Sequence, residues 1–452
     1  MSAVLKCISC GKEYDENEVR YNCNCGDILD VVYDFSGLDP EWLKKTFRER
    51  RMSTKNYDIS GVWKFRELIP IFNDVEDIVT MPEGNTNVYD APRSAKYAGL
   101  DNLKLKHQGL NPTGSFKDNG MTTGATIAKK LGYKRVACAS TGNTSASMAA
   151  YAVRGGMVPI VFIPGGKQIA YGKLSQALDY GALTISIDGD FDDAMTLVQD
   201  VAKEMGIYLL NSINPYRLEG QKAIIFELLQ QLDWEVPDYI VVPGGNLGNS
   251  SSYGKGLKEL YDVGLIDRLP KVVIVQAQGA NPLYTYYKEG EKEFKKMKAD
   301  TRATAIKIGN PVSWKKAIRT IEYTNGIVEE VTEEEIAFAK AMIGRDGIGC
   351  EPASATTVAG IKKLVEAGKI EKDAKVVGIL TGNLLKDPDY TVEFHTNEFY
   401  NKAYYEKNYT LQEDRVDTSE YANNLYHVDA NIESIKAAIE DFERKQKWNM
   451  YI

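Results

Sequence analysis

The sequence predicts an α/β protein with mainly parallel sheets in two domains, preceded by a small Cys-rich segment and followed by a C-terminal extension. Three observations carry this. From Val62 onward, short apolar runs alternate with amphipathic helical runs, the pattern of βαβ units. The chain has 452 residues, more than one simple core accommodates. Four of the six cysteines fall within the first 25 residues, and from Tyr390 the composition turns to Tyr, Asn, Asp and Glu.

The elements follow in order. Strands are expected at Leu103–Leu105, Val136–Ala139, Ile160–Ile163, Leu183–Ile187, Tyr208–Leu210, Ile240–Val242, Val272–Val275 and Val376–Leu380. Helices are expected between them, including Asn119–Leu131, Ser145–Val153, Asp192–Glu204, Glu219–Leu232 and Ala355–Ala367, with a last amphipathic helix at Ile432–Trp448. That tail carries no chemical motif and reads as a packing or dimer-contact appendage.

Hydrophobic residues make up 43% and charged residues 26%, the balance of a soluble protein, and the formal net charge is -8. An acidic chain has no general attraction for polyanions, so nucleic acid is not an expected partner. No stretch approaches the ~20 apolar residues of a membrane span. The start lacks the pattern of a secretory signal, so the cytoplasm is the expected compartment.

Cys7 and Cys10, then Cys23 and Cys25, form two close pairs, each followed by glycine. A structural tetrathiolate zinc is one reading; the irregular Cys-x-Cys spacing leaves a reduced hairpin without metal as the other. A catalytic zinc is not expected, because sulfur would fill all four positions.

In parallel α/β folds ligands bind where strands end, so the loops after the strands matter most. The first is Gly109-Leu-Asn-Pro-Thr-Gly-Ser-Phe-Lys117-Asp118. Ser115 and Asp118 are spaced as a capping box, which places Lys117 in the first turn of a helix. The helix dipole and burial both disfavour a cation there, predisposing Lys117 to be a neutral amine that forms imines. The second loop, Ser140-Thr-Gly-Asn-Thr-Ser-Ala-Ser147, opens a helix with more hydroxyls than a cap requires, and reads as an anion receptor. The third, Gly244-Gly-Asn-Leu-Gly-Asn249, lets backbone N–H groups converge on a phosphate, yet is neither a Walker A loop nor a dinucleotide fingerprint. Asn211, Ser212 and Arg217 follow another strand and suit a phosphate clamp; Thr381 follows the last strand and suits a ring nitrogen. Ordinary turn chemistry is the competing reading for these last two.

Taken together, Asn-Pro-Thr-Gly-Ser-Phe-Lys-Asp, Ser-Thr-Gly-Asn-Thr-Ser-Ala, Gly-Gly-Asn-Leu-Gly-Asn, Glu351-Pro-Ala-Ser-Ala-Thr and Leu380-Thr-Gly-Asn-Leu-Leu-Lys-Asp-Pro388 resemble the threonine synthase family of fold-type II pyridoxal-phosphate enzymes, over roughly residues 60 to 390. The resemblance implies a carbon–oxygen lyase in which Lys117 carries pyridoxal 5'-phosphate as a Schiff base and moves protons. Phe116 would line the ring, and Asn143 would bond its hydroxyl. Gly245, Asn246, Leu247, Gly248 and Asn249 would cradle the cofactor phosphate, and Thr381 would face the pyridine nitrogen. Ser140, Thr141, Asn143 and Thr144 would bind the substrate carboxylate. Thr144, Asn211, Ser212, Arg217 and Asn246 would bind the substrate phosphate.

The implied reaction converts O-phospho-L-homoserine and water into L-threonine and phosphate, in a homodimer. The alternatives are a cysteate synthase-like enzyme acting on O-phosphoserine and a serine or threonine dehydratase. The implied division is a possible zinc ribbon over 1–35, a large cofactor-binding domain over 60–119 and 206–390, a small mobile domain over 120–205, and an extension over 391–452.

Overall fold

A computed structural model describes residues 3–164, 171–188, 191–288, 290, 293–399, 416–423 and 425–446. The chain begins with a small antiparallel sheet of three strands in the order Glu13–Asp15, Ala3–Cys7, Leu29–Tyr33.

Two parallel sheets follow. The larger has six strands in the spatial order Ile327–Val331, Lys271–Ala277, Tyr239–Pro243, Val376–Leu380, Leu103–His107, Val88–Asp90. All its pairings are parallel except the last, where Val88 lies opposite Lys106 in antiparallel register. Tyr239–Pro243 and Val376–Leu380 are buried at every position, as expected of central strands covered by helices on both faces. The smaller sheet has four parallel strands in the order Leu183–Ile187, Val158–Pro164, Arg135–Ala139, Ile207–Leu209. Its fourth strand lies just past residue 205, where the family resemblance implied the end of the small domain. Pairing of Arg135 with Ile207 draws that strand into the smaller sheet.

The chain passes between the sheets twice. The Lys117–Lys130 helix leads out of the larger sheet, and the Pro215–Gln231 helix leads back. The two helices cross in very close contact. A Cβ on Gly220 would fall 1.8 Å from the Asn119 carbonyl oxygen, and one on Gly120 would fall 2.8 Å from that of Arg217. Two missing side chains thus bring the start of one helix beside the start of the other.

The returning helix is buried along nearly its whole length and carries charge into the core. Glu227 meets Lys64 at 3.1 Å and Lys106 at 2.5 Å, all three with almost no exposed surface. The lysines hold the Glu227 carboxyl, against the effect of its burial, down to about 2. Burial pushes Lys106 down to about 8, opposed by Glu227, so both members of the pair are charged at neutral pH.

Tyr390 and Phe394 of the Pro388–His395 helix pack with Phe399, Val416 and Ala337 into a small separate cluster. The final helix spans Ile432–Gln446; the last two residues of the predicted Ile432–Trp448 helix lie outside the described residues. Ile432, Ile435, Ile439 and Phe442 of this helix are exposed. Among the described residues no helix is long and apolar enough to cross a membrane.

Candidate active site

Every loop singled out in the sequence, apart from the cysteines, opens onto one cavity of about 1490 Å³ between the two sheets. Phe116 and Lys117 enter from the start of the Lys117–Lys130 helix; Ser140, Thr141, Asn143 and Thr144 from the loop after Arg135–Ala139 and the helix start that follows; Asn211 and Ser212 from the turn after Ile207–Leu209; and Arg217 from the first turn of the Pro215–Gln231 helix. Gly245, Asn246, Leu247, Gly248 and Asn249 line it from the loop after Tyr239–Pro243, and Thr381 from the end of Val376–Leu380. The chemistry therefore sits at the carboxyl ends of the strands.

Lys117 is only half-buried by surface, because it opens onto the cavity, but its amine lies well inside the protein. Burial is the main cause that lowers its pKa to about 7; the Arg217 guanidinium adds to this and Glu351 opposes it. Near neutrality a large fraction is therefore the free amine, the nucleophilic form. The amine lies 4.1 Å from the centre of the Phe116 ring.

The local cap differs from the predicted capping box. The helix starts after Phe116 without a side-chain cap, and the Lys117 N–H reaches the Ser115 hydroxyl only at 3.4 Å. Asp118 turns inward instead. It accepts from the Thr113 N–H at 2.7 Å, the Thr113 hydroxyl at 2.5 Å and the Ser147 hydroxyl at 2.6 Å. A buried carboxylate needs several donors, and the Thr113 turn and Ser147 provide more than a helix start could. The result locks the loop before Lys117 to the helix of the second loop.

The second loop is arranged as a receptor. Gly142 precedes the Asn143–Arg154 helix, with no side-chain cap on its first N–H groups. The Ser140 hydroxyl accepts from the Gly142 N–H at 3.2 Å, and the Ala139 N–H donates to the Asn211 side-chain oxygen at 3.0 Å. Opposite it, Arg217 is almost fully buried; its Nη1 donates to the Leu210 carbonyl at 3.0 Å, while its buried Nε has no hydrogen-bond partner among the described residues. Burial lowers its pKa to about 10, which leaves it cationic at neutral pH. Arg217 lines the cavity and stays cationic, and a buried cation at a cavity wall is suited to an anion.

The glycine-rich loop is shaped by backbone. Leu247 adopts φ +63°, a left-handed conformation, with its side chain fully buried. A Cβ on Gly245 would lie 3.1 Å from the Ile306 side chain, so the loop runs tightly under the Thr304–Ile306 turn. The Asn246 side-chain oxygen accepts from the Val312 N–H at 2.7 Å, and Asn249 donates to the Pro243 carbonyl at 2.9 Å. Both side chains thus hold the loop's shape, leaving backbone N–H groups as the donors toward an anion.

Two residues were missed as site residues by the sequence reading, although both lie in quoted motifs. Glu351, buried at the cavity wall, accepts from the Asn143 amide at 2.9 Å and from the Thr381 hydroxyl at 3.2 Å. Burial raises its pKa, against both of these bonds. The Thr381 hydroxyl also lies 3.0 Å from the Ser354 hydroxyl. Lys386 reaches across to bond the Gln176 side chain on the small-sheet side, and burial lowers its pKa against the pull of Glu351 and Asp118. A carboxylate and a lysine within a strand-end motif were the available signals.

The comparisons agree with this geometry. The sequence model of the family described as pyridoxal-phosphate dependent enzyme matches residues 79–382. A threonine synthase of Methanocaldococcus jannaschii is 48% identical over 389 residues, covering 86% of this chain and 94% of its own length. The chain belongs to the threonine synthase family of pyridoxal-phosphate dependent enzymes. Threonine synthase 2, chloroplastic, of Arabidopsis thaliana is 40% identical over 403 residues, covering 87% of this chain and 78% of that one. Among solved structures, threonine deaminase isoform 2 from Solanum lycopersicum superimposes with a TM-score of 0.57 at 18% identity, covering 80% of this chain and 96% of the other, a likeness of fold. The cavity residues fit the family's cofactor: a lysine amine of lowered pKa, an aromatic ring beside it, a glycine-rich loop at the end of a strand and a hydroxyl pair at Thr381.

Proposed function

We propose that this chain converts O-phospho-L-homoserine and water into L-threonine and phosphate. One observation carries the reading. A single cavity holds three groups suited to anions around one lysine of lowered pKa: the glycine-rich loop, the hydroxyl loop at a helix start, and Arg217 with Asn211 and Ser212. A cofactor phosphate, an amino-acid carboxylate and a substrate phosphate account for all three. The relatives' name, threonine synthase, supports the same choice.

In this reading Gly245, Asn246, Leu247, Gly248 and Asn249 would hold the phosphate of pyridoxal phosphate, Phe116 and Asn143 would contact its ring, and Thr381 would take its nitrogen. The bound cofactor supplies an aldehyde carbon for amines and a ring that accepts negative charge from Cα. Lys117 is the residue that would hold that carbon in the resting enzyme. Its amine, whose pKa burial lowers to about 7, would take up and return protons at Cα and Cβ. Ser140, Thr141, Asn143 and Thr144 fix the carboxylate. Thr144, Asn211, Ser212, Arg217 and Asn246 bind the phosphate that leaves from Cγ, lowering the energy of the developing dianion. Closure of the small domain, which carries the carboxylate loop, excludes bulk water while one water adds at Cβ. Glu351 fixes the Asn143 amide and the Thr381 hydroxyl in place.

A cytoplasmic homodimer is part of the same reading; sedimentation of the purified protein tests the dimer. The activity is tested by assaying phosphate and threonine release from O-phospho-L-homoserine. Equal amounts of both are expected. Cysteate from O-phosphoserine with sulfite, without threonine from O-phosphohomoserine, would replace this substrate by a shorter one.

A further inference from the structure

The four N-terminal cysteines stand apart from the cavity and have no part in the reaction. Their sulfurs all lie within 4.8 Å of one another. Cys7 and Cys25 are 3.5 Å apart, as are Cys10 and Cys23, and all are free thiols. Zinc–sulfur bonds of about 2.3 Å at a tetrahedral centre put sulfurs about 3.8 Å apart. The pairs come from two tight turns, closed by Gly11 N–H to the Cys7 carbonyl at 3.2 Å and Gly26 N–H to the Cys23 carbonyl at 2.8 Å. Both glycines have positive φ, +73° and +90°. The Cys10 N–H points at Cys7 Sγ at 3.5 Å, and the Tyr14 hydroxyl lies 3.0 Å from Cys23 Sγ. Donors aimed at sulfur are the environment a metal thiolate needs. The second turn, not the spacing in the sequence, brings Cys25 into the group.

The ribbon is docked on two sides. On one, Lys316 donates to the Leu29 carbonyl at 2.7 Å, Lys255 donates to that of Val31 at 2.6 Å, and Asp30 pairs with Lys316 and Arg319, each at 2.7 Å. On the other, the segment between the two cysteine pairs touches the substrate clamp. The Leu209 N–H donates to the Tyr21 hydroxyl at 2.8 Å, and the Tyr216 hydroxyl donates to the Glu16 carbonyl. Tyr21 also packs on Tyr208, ring centres 6.0 Å apart. Leu209 and Tyr216 bracket Asn211 and Ser212, and Arg217 follows directly.

We propose that Cys7, Cys10, Cys23 and Cys25 bind one zinc ion as a closed tetrathiolate, and that the metal-loaded ribbon braces the Leu209–Arg217 segment against the larger domain. Four sulfur donors without a carboxylate select a soft ion such as zinc over magnesium or calcium. Three short strands make too small a core to hold their shape alone, so the metal supplies the rigidity that the tyrosine contacts pass on. Asn211, Ser212 and Arg217 are positioned by this brace. The bracing half rests on their assignment to the substrate phosphate; the metal half does not.

The experiment starts with the full chain, purified with reductant, loaded with pyridoxal phosphate, and analysed for zinc. About one zinc per chain is expected, with loss in a Cys23→Ser, Cys25→Ser double variant. Cobalt in place of zinc should give the sulfur-to-cobalt charge-transfer bands of a tetrathiolate. Less than a tenth of a zinc per chain, with no such bands after adding cobalt, overturns the site whatever the activity is. For the brace, Tyr21→Phe keeps the cysteines and removes the bond to Leu209. It should retain zinc and cofactor and raise KM for O-phosphohomoserine about five- to tenfold, with kcat within twofold, the mark of weakened substrate binding. Unchanged KM in that variant overturns the brace. If the substrate itself is wrong, inorganic phosphate affinity, read by competition or calorimetry, replaces KM.

Discussion

The two sheets divide the site between them and are built very differently. The six-stranded sheet is buried through its central strands, covered on both faces, and reinforced by the Glu227 network; it presents the glycine-rich loop and Thr381. The four-stranded sheet has on one face a small core of Ala137, Ile160, Phe162, Ile207 and Leu209 with Val198 and Ala202; its other face joins the main core through Val136, Cys138, Val161 and Tyr208, and its edge strand leaves Leu183 54% and Ile185 37% exposed. It presents the hydroxyl loop. Local stability follows buried apolar contact, so we propose the first sheet as the platform and the second as the part that moves. On the proposed function, the division pairs a fixed receptor for a resident cofactor with a movable one for a substrate that comes and goes.

Mutations on the platform side should be the most damaging. Lys117→Ala should reduce turnover at least about a thousandfold while the fold survives, because a neutral amine that both holds the cofactor and moves protons has no substitute nearby. Phosphate release and thermal melting check both halves of that statement. In cofactor-free protein the same amine is charged below about 7 and neutral above it. Its acylation rate should therefore rise through that pH, whereas an ordinary lysine titrates near about 10.4. Peptide mass spectrometry after timed labelling reads this directly.

Glu227→Gln tests the platform's core. It leaves Lys64 and Lys106 buried without their counter-ion, which costs about 3 to 5 kcal/mol. The sign with pH is fixed by the direction of the shift. The folded-state pKa lies below the ordinary 4.5, so the carboxylate's contribution, on the order of 3 kcal/mol, is full above that value and lost as pH falls through about 2. Urea midpoints of the two proteins should differ most at neutral pH and converge in acid. Arg217→Ala comes next. It removes a charge-assisted bond worth about 1.5 to 3 kcal/mol, so KM should rise about ten- to a hundredfold with little change in cofactor affinity. Equal loss of both would mean that the two phosphates have been exchanged.

Much of this was legible in the sequence, for physical reasons. Buried parallel strands such as Tyr239–Pro243 are continuous apolar runs, and a strand-end loop with glycine and hydroxyl residues signals its chemistry locally. What failed was long-range. Asp118 looked like a helix cap because Ser115 is three residues away, yet its partners include Ser147, which no local pattern reveals. Glu351 became part of the site through Asn143 and Thr381, each distant in sequence. The strand at Ile207–Leu209 was read one residue on, at Tyr208–Leu210, and not as the fourth strand of the smaller sheet. Pairing partners are tertiary facts, and short windows carry only propensity and period.

The finest test of the contrast uses two small truncations, one in each sheet. Val241→Ala in the middle of the larger sheet opens a void in a fully buried layer between Val273 and Gly378, its partners on either side. Deleting buried methyl groups costs transfer energy plus the void, here about 1 to 3 kcal/mol. Ile185→Ala removes more carbon, but from a side chain already in contact with water at the edge of the smaller sheet, so its effect should stay within about 1 kcal/mol. If the smaller sheet is the movable one, Ile185→Ala should instead raise hydrogen exchange in its own four strands and leave the Tyr239–Pro243 amides as protected as before. A truncation at Ile185 that loosened both sheets equally would mean that they open as one unit, and the cavity between them would then have two fixed walls.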